Sequence, residues 1–541
     1  MLFTSYCTGV IVNTKYGKIK GYPFITRDQR TVYSFSGIRY AKPPVRSLRF
    51  MAPEPPEIDQ NIRDVNYSTP CLQYTDRYQS AAIIGEEDCL QLTVYTPSLK
   101  KFSRLYPVLV YFHGGVFVEG SGQMEHGAHY MMDHDIVVVQ VEYRLGVFGF
   151  YTMENELLPG NMGLKDQLLA LKWVQENIVL FKGNPNKVTL IGDSAGSASV
   201  NYHMISPKSR GLFHGAISES GVATAPWAYH RTKLPQAIAL ITARLLNCTK
   251  KGSSNRTETL LCLQKKNAKD ILAVFQRNAL PTFDGNPMLL FLPVIDNYIA
   301  DPFIPDNPLH LESAPVPWLI GCNNLDGFVA SQYFELIYQT WNKIYVTLNS
   351  LFNKLSPLIL LYANSGKKIQ VSNKVKEFYF RKGLISERSF ANLTNMFSDR
   401  HFFFPLMESI NLHKGPNFVY NYEFNNTDSY QELSLGKRLL TGAVHGDETI
   451  VLWNVTHFFR HELDSTAVKV SKQLVQLFVD FATYGTPTRP GTSSFEWPQW
   501  NDETQPYLNI DTEGNFNVEH GYYPKRVQFW TQLRQFSPDI L

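Results

Sequence analysis

The 541 residues are first informative for what they lack. No apolar run approaches the ~20 residues that a bilayer-spanning helix requires. The longest, such as residues 106–112 and 136–141, have the length of strands. No block of like charge occurs, and 51 Lys+Arg against 48 Asp+Glu leave a formal net charge of +3, no footprint for a nucleic-acid partner. Six cysteines include no Cys-x-x-Cys pair, so no metal site is expected. There is no internal repeat, low-complexity tract or linker. The simplest organisation is a tail over residues 1–9 and one domain over 10–541. Residues 1–12 show no charged start followed by a full apolar core, so no intact signal peptide is visible; it is either removed or the start is incomplete. Residues 523–541 carry no retention signal or lipid anchor. The oligomeric state leaves no mark on the sequence.

What is present points to an oxidising compartment. Asn-x-Ser/Thr sequons at Asn66, Asn247, Asn255, Asn392, Asn425 and Asn454 lie in polar, turn-like stretches and favour the secretory route, secreted or lumenal. Cys71 and Cys89 bracket one polar segment, and Cys248 and Cys262 another. In a glycosylated chain both pairs are expected as disulfides rather than free thiols. Each would close a short loop, worth about 3 kcal/mol by the chain-entropy argument. Cys322 is then a small buried hydrophobe, and Cys7 belongs to the tail.

The chemistry concentrates at residues 187–200. A β-branched run enters Gly192-Asp193-Ser194-Ala195-Gly196, and small residues then lead into a helical stretch. A serine on a sharp strand-to-helix turn has its hydroxyl held clear of its neighbours, and the flanking glycines avoid a collision across the turn. Ser194 would also sit at a helix start, where free N–H groups favour developing negative charge. A lone serine is a weak nucleophile, so a base, an acid and an oxyanion site must come from elsewhere. Upstream, the strand at 108–112 runs into His113-Gly114-Gly115-Val116-Phe117, a turn able to aim backbone N–H groups outward. Of the 14 histidines the sequence alone singles out no base, and His113 and His214 compete with His445. Asp447 and Glu448 are rival acids, but they follow His445 too closely to address its ring.

Around these motifs the chain reads as a hairpin at 10–21, strands at 108–112, 136–141 and 315–320, and helices at 164–178, 234–246, 270–276 and 467–484. The strand–helix–strand alternation implies a mostly parallel sheet.

The stretches Glu87-Asp88-Cys89-Leu90, His113-Gly114-Gly115, Tyr143-Arg144-Leu145-Gly146, Gly160-Asn161-Met162-Gly163-Leu164, Asp166-Gln167, the serine elbow, Gly321-Cys322-Asn323-Asn324-Leu325-Asp326-Gly327 and Gly442-Ala443-Val444-His445-Gly446-Asp447-Glu448 resemble type-B carboxylesterases of the α/β-hydrolase superfamily, the group that includes the cholinesterases. The detail is most similar to insect carboxylesterases. The resemblance implies an α/β-hydrolase fold: a large, mostly parallel twisted sheet flanked by helices, with an N-terminal antiparallel hairpin. It implies Ser194 as nucleophile, His445 as base and Asp326 as acid, with the backbone N–H groups of Gly115, Val116 and Ala195 as the oxyanion hole. The implied reaction is hydrolysis of a small uncharged carboxylic ester through an acyl-enzyme, with no metal or organic cofactor.

Departures from the family pattern narrow the reading. Val116 stands where a third glycine is usual, and Asp326 where many relatives have Glu. Asp193 replaces a common Glu, and it replaces the Gln usual in juvenile hormone esterases; it either tunes the site or only starts the helix. Ser197 replaces a common glycine. The segment between Cys71 and Cys89 has no Trp, so a choline ester would lack its cation–π platform. A narrower hormone, pheromone or lipid esterase is one alternative. A non-catalytic adhesion or carrier protein is another, although such relatives typically lack the serine or histidine.

Overall fold

The computed structural model describes residues 9–540 apart from 76–81, 101–103, 232–233, 250–254, 277–286, 382, 456–457, 460–462, 490 and 492–494. The strands are β1 (Val10–Thr14), β2 (Gly17–Ile25), β3 (Thr31–Arg39), β4 (Asp59–Arg63), β5 (Gln73–Thr75), β6 (Ala82–Ile84), β7 (Gln91–Thr96), β8 (Tyr106–Phe112), β9 (Val137–Val141), β10 (Gly183–Asp193), β11 (Gly215–Glu219), β12 (Trp318–Asn323), β13 (Asn417–Tyr422), β14 (Pro506–Ile510) and β15 (Phe516–His520). Thirteen of them form one sheet in the order β1-β2-β3-β7-β9-β8-β10-β11-β12-β13-β14-β15, with β4 beside β2; β5 and β6 pair separately.

From β9 to β14 every neighbouring pair is parallel. The expected hairpin is β1–β2, and the antiparallel pairs lie towards the two edges. Every residue of β8, β9, β12 and β13 is buried, as both faces of a parallel sheet are covered. Alternate residues divide between two cores. Val108, Val110 and Phe112 of β8 meet the helices Met162–Asn177 and Ala195–Ile205, whereas Leu109 and Tyr111 face the helix Ser465–Tyr484. That last helix starts at Asp464, whose carboxylate accepts from the N–H groups of Thr466 and Ala467, and ends at Gly485.

Cys71–Cys89 and Cys248–Cys262 are disulfide-bonded, and Cys322 is buried in β12. Cys7 lies outside the described residues. Asn66, Asn247 and Asn255 are exposed, while Asn425 and Asn454 are half-buried. The expectation of turn-like sequons fails at Asn392, which lies in the helix Phe390–Ser398 with its side-chain amide donating to the Tyr379 carbonyl at 2.8 Å. Residues 328–412 are largely helical, in Phe328–Thr340, Ile344–Ile359, Lys368–Phe380, Phe390–Ser398 and Phe404–Leu412, although no clear helical periodicity marks them in the sequence. Exposed Leu336, Ile337, Val346 and Ile369 on these helices blur the pattern that would have revealed them.

Candidate active site

The site lies at the carboxyl ends of the parallel strands, where loops leave the sheet and helix N-termini return to it. Strand β10 delivers Ser194 to a backbone position with φ 53° and ψ −118°, immediately before the helix Ala195–Ile205. Such a conformation is costly for a non-glycine residue and persists because its surroundings hold it. The Ser194 N–H donates to the Glu219 carbonyl at 2.7 Å. A Cβ on Gly192 would come within 2.7 Å of the Phe112 carbonyl, and one on Gly196 would overlap the same oxygen, so the elbow can close only on hydrogens.

Asp326 leaves the end of β12, and His445 lies in the long connection after β13. Two loops so far apart in sequence are stapled together beside the site. The Leu325 N–H donates to the Ala443 carbonyl at 3.0 Å, the Asn323 side-chain amide to the Val444 carbonyl at 2.7 Å, and the Ala443 N–H to Asn324 Oδ1 at 3.0 Å. As a result His445 Nδ1 is 2.8 Å from Asp326 Oδ1, and His445 Nε2 is 2.8 Å from Ser194 Oγ. A carboxylate only accepts, so Nδ1 carries the proton and Nε2 is left to accept from the serine hydroxyl. The second oxygen of Asp326 accepts from the Asn323 N–H at 3.1 Å, and the carboxylate is buried.

The glycine-rich turn follows β8. Gly115, Val116 and Phe117 all have positive φ, at 107°, 53° and 62°. The amides of Gly115, Val116 and Ala195 donate to no backbone carbonyl among the described turns and loops. Asp193 neither simply tunes the site nor merely starts a helix: its Oδ1 accepts from the Gly114 N–H at 3.0 Å and from the Tyr111 hydroxyl at 2.7 Å, tying this turn to the elbow. The Ser197 hydroxyl donates to the Gly221 carbonyl at 2.5 Å, so the residue that replaces a usual glycine fastens the helix after the elbow.

The competing residues lie elsewhere. Burial pushes His113 down to about 4; its Nδ1 meets the Gly114 carbonyl and its ring stacks on Tyr143. The Nδ1 of His214 accepts from the Val188 N–H at 3.3 Å. Asp447 accepts from Ser429, Tyr430 and Val444, and burial pushes it up to about 7. Glu448 accepts from Asn323 and Ser220. Sequence reasoning missed Glu219, which is buried behind the elbow with neither carboxyl oxygen hydrogen-bonded among the described residues. Burial first, and then the neighbouring Glu448 charge, push Glu219 well up. It missed Phe402 too, whose ring lies 4.9 Å from the His445 imidazole and 5.9 Å from Trp227. No motif marks either residue. Among the described residues no cluster of His, Cys, Asp or Glu has the geometry of a metal site.

Residues 8–530 match the model of the Carboxylesterase family. The chain belongs to that family. As a carboxylesterase it is a carboxylic-ester hydrolase. It is 32% identical to a juvenile hormone esterase of Tribolium castaneum, over 98% of this chain and 95% of that one. It is 32% identical to venom carboxylesterase-6 of Apis mellifera, over 96% and 94%, and 35% identical to esterase FE4 of Myzus persicae, over 88% and 84%. Among solved structures it resembles the juvenile hormone esterase of Manduca sexta with OTFP covalently attached, with TM-score 0.83, 24% identity, and coverage of 97% of this chain and 100% of that one. That likeness is one of fold, the carboxylesterase α/β-hydrolase architecture.

Proposed function

We propose that this carboxylesterase works through a Ser194–His445–Asp326 triad and an acyl-enzyme. The observation that carries the reading is the unbroken hydrogen-bonded chain from Asp326 through the His445 ring to Ser194 Oγ. His445 takes the serine proton as Ser194 attacks the ester carbonyl, and Asp326 holds the tautomer and balances the imidazolium. The oxygen turned anionic is received by the N–H groups of Gly115, Val116 and Ala195, preset rather than recruited. His445 then gives its proton to the departing alcohol, and water attacking the acyl-enzyme along the same path frees the acid. No metal or organic cofactor enters these steps. The substrate is a small uncharged ester. Ser194→Ala should reduce hydrolysis of p-nitrophenyl butyrate on the order of 10⁶-fold, with the fold intact by circular dichroism. Undiminished turnover would sink the assignment.

The two disulfides and the exposed sequons at Asn66, Asn247 and Asn255 favour a secreted or lumenal protein. No described helix is long and apolar enough to cross a membrane. Hydrolysis of a hormone, pheromone or lipid ester is the narrower alternative, its hormone form favoured by the 32% identity to the Tribolium castaneum enzyme. Comparing rates on candidate natural esters decides it. A non-catalytic carrier would not react with a fluorophosphonate probe.

A further inference from the structure

The two helices that follow β12 carry large apolar side chains on their outer side. The first, Phe328–Thr340, starts two residues after Asp326, so it leaves directly from the rim of the candidate site. Phe328, Ser331 and Glu335 mark its inner side, and the buried Glu335 pairs with Lys437 at 2.9 Å. Its outer side carries Tyr333, Leu336 and Ile337, with Trp341 exposed at its end. A surface helix ordinarily turns polar residues outward. At 1.5 Å per residue, this face lies roughly 10–20 Å along the helix from Asp326.

The next helix, Ile344–Ile359, continues the surface. The rings of Tyr338 and Tyr345 pack at 5.1 Å, which joins the two helices. Lys343, Val346 and Ser350 follow one another at helical spacing, and all three are exposed, Val346 by 65%. The Asn349 side chain accepts from the Ile385 N–H at 2.9 Å and donates to the Ile385 carbonyl at 2.6 Å. Those bonds hold Leu384, 79% exposed, beside this helix. Asn353 donates to Asn373 at 2.8 Å, which brings in the helix Lys368–Phe380.

Charge is divided unevenly over the same stretch. Residues 336–386 hold eight lysines and arginines against one acid, Glu377, an excess larger than the +3 of the whole chain. The cations are dispersed along the stretch, so no long run betrays them. Seven of the eight are lysine. Lysines are point charges on flexible stems, which suit a diffuse negative surface better than one shaped, bidentate acceptor. Lys343 and Lys354 are both exposed. Apolar side chains gathered with aromatic rings and lysines match the boundary between water and lipid. There apolar tips enter the acyl layer, Trp and Tyr rings sit at headgroup level, and lysines meet anionic headgroups.

We propose that the outer face of Phe328–Thr340 and Ile344–Ile359, together with Leu384, is a docking surface for anionic lipid. Docking there sets the rim of the candidate site close to a layer in which neutral esters dissolve. The attachment is peripheral and needs no spanning helix.

The test sediments the full-length protein with vesicles of phosphatidylcholine alone or in equal mixture with phosphatidylserine. The protein should bind the mixed vesicles at low salt and be released at high salt. Trp341→Ser/Val346→Ser should lower that binding on the order of 100-fold, and Lys343→Gln/Lys354→Gln on the order of 10-fold, with circular dichroism unchanged. Binding is read without turnover, so the outcome stands apart from the Ser194 assignment. Equal binding to phosphatidylcholine alone, or full binding by Trp341→Ser/Val346→Ser, overturns the proposal. Failure to bind the mixed vesicles overturns it too. If sedimentation velocity then shows a dimer that Trp341→Ser/Val346→Ser dissociates, the face joins two copies of the chain instead.

Discussion

At the scale of single residues, the most informative departure from the family pattern is Asp193. A carboxylate next to the proposed nucleophile would ordinarily be weighed for its charge, but here its geometry matters more. Through Oδ1 it accepts from the Gly114 N–H and the Tyr111 hydroxyl, which ties the turn bearing the Gly115 and Val116 amides to the elbow. Asp193 is therefore a positioning residue. Asp193→Ala should lower kcat by about 10²-fold, the usual cost of one displaced oxyanion donor, and leave KM within a few-fold. Steady-state kinetics on p-nitrophenyl butyrate separates the two; a rise in KM at constant kcat would contradict this role. Val116 adds a second point. A β-branched residue at φ 53° is strained where glycine would be relaxed, and the strain is confined to the turn that presents these amides.

At the scale of elements, the resemblance motifs prove to be joints between secondary structures. Arg144, at the end of β9, forks onto Asp166 of the helix Met162–Asn177 through bonds of 2.8 and 2.7 Å, and both side chains are nearly inaccessible. Its third nitrogen donates to the Met51 carbonyl at 2.8 Å, drawing in the N-terminal segment. Arg49 likewise forks onto Glu87 next to the first disulfide. Removing one partner strands a buried charge, so Arg144→Met should destabilise the protein by about 3–5 kcal/mol. Arg144→Met/Asp166→Leu should recover much of that loss, as read by denaturant unfolding. If the single variant melts like wild type, the pair is not the joint described. Residues at these positions were visible as motifs, but their partners were not: nothing in local sequence couples Arg144 to Met51. The helices of residues 328–412 were illegible for the opposite reason, since apolar residues stand on their outer faces as well as their inner ones.

At the scale of the whole molecule, burial of ionisable groups sets the response to pH. Glu142 is buried, and its Oε1 accepts from the Ser121 hydroxyl at 2.8 Å and the Gly122 N–H at 2.9 Å, while Oε2 has no partner among the described residues. Burial pushes its pKa up to about 8, against 4.5 for the free group. Between these values the folded protein keeps a proton that the unfolded chain has lost, so this group's contribution to stability falls as pH rises through that window. Glu142→Gln, with an amide in place of the neutral acid, should match wild type near pH 4.5 and gain on it steadily towards pH 8. Urea unfolding at several pH values checks the trend, and a constant difference would refute it.

Much of the candidate site and its surroundings was legible because the parts are local devices: a serine between two small glycines, a glycine-rich turn after an apolar strand, and cysteines bracketing polar loops. Each depends on a few adjacent residues whose sterics and hydrogen-bonding capacity are fixed by their chemistry. The pairing of Asp326 with His445 needed the family resemblance, because 119 residues separate them and only the parallel run from β10 to β13 brings their loops together. The clamp made by Asp193, the ring of Phe402 against the imidazole and the buried carboxyl of Glu219 were decided by tertiary structure alone. Desolvation and long-range contact belong to the packed chain, and no stretch of sequence carries them by itself.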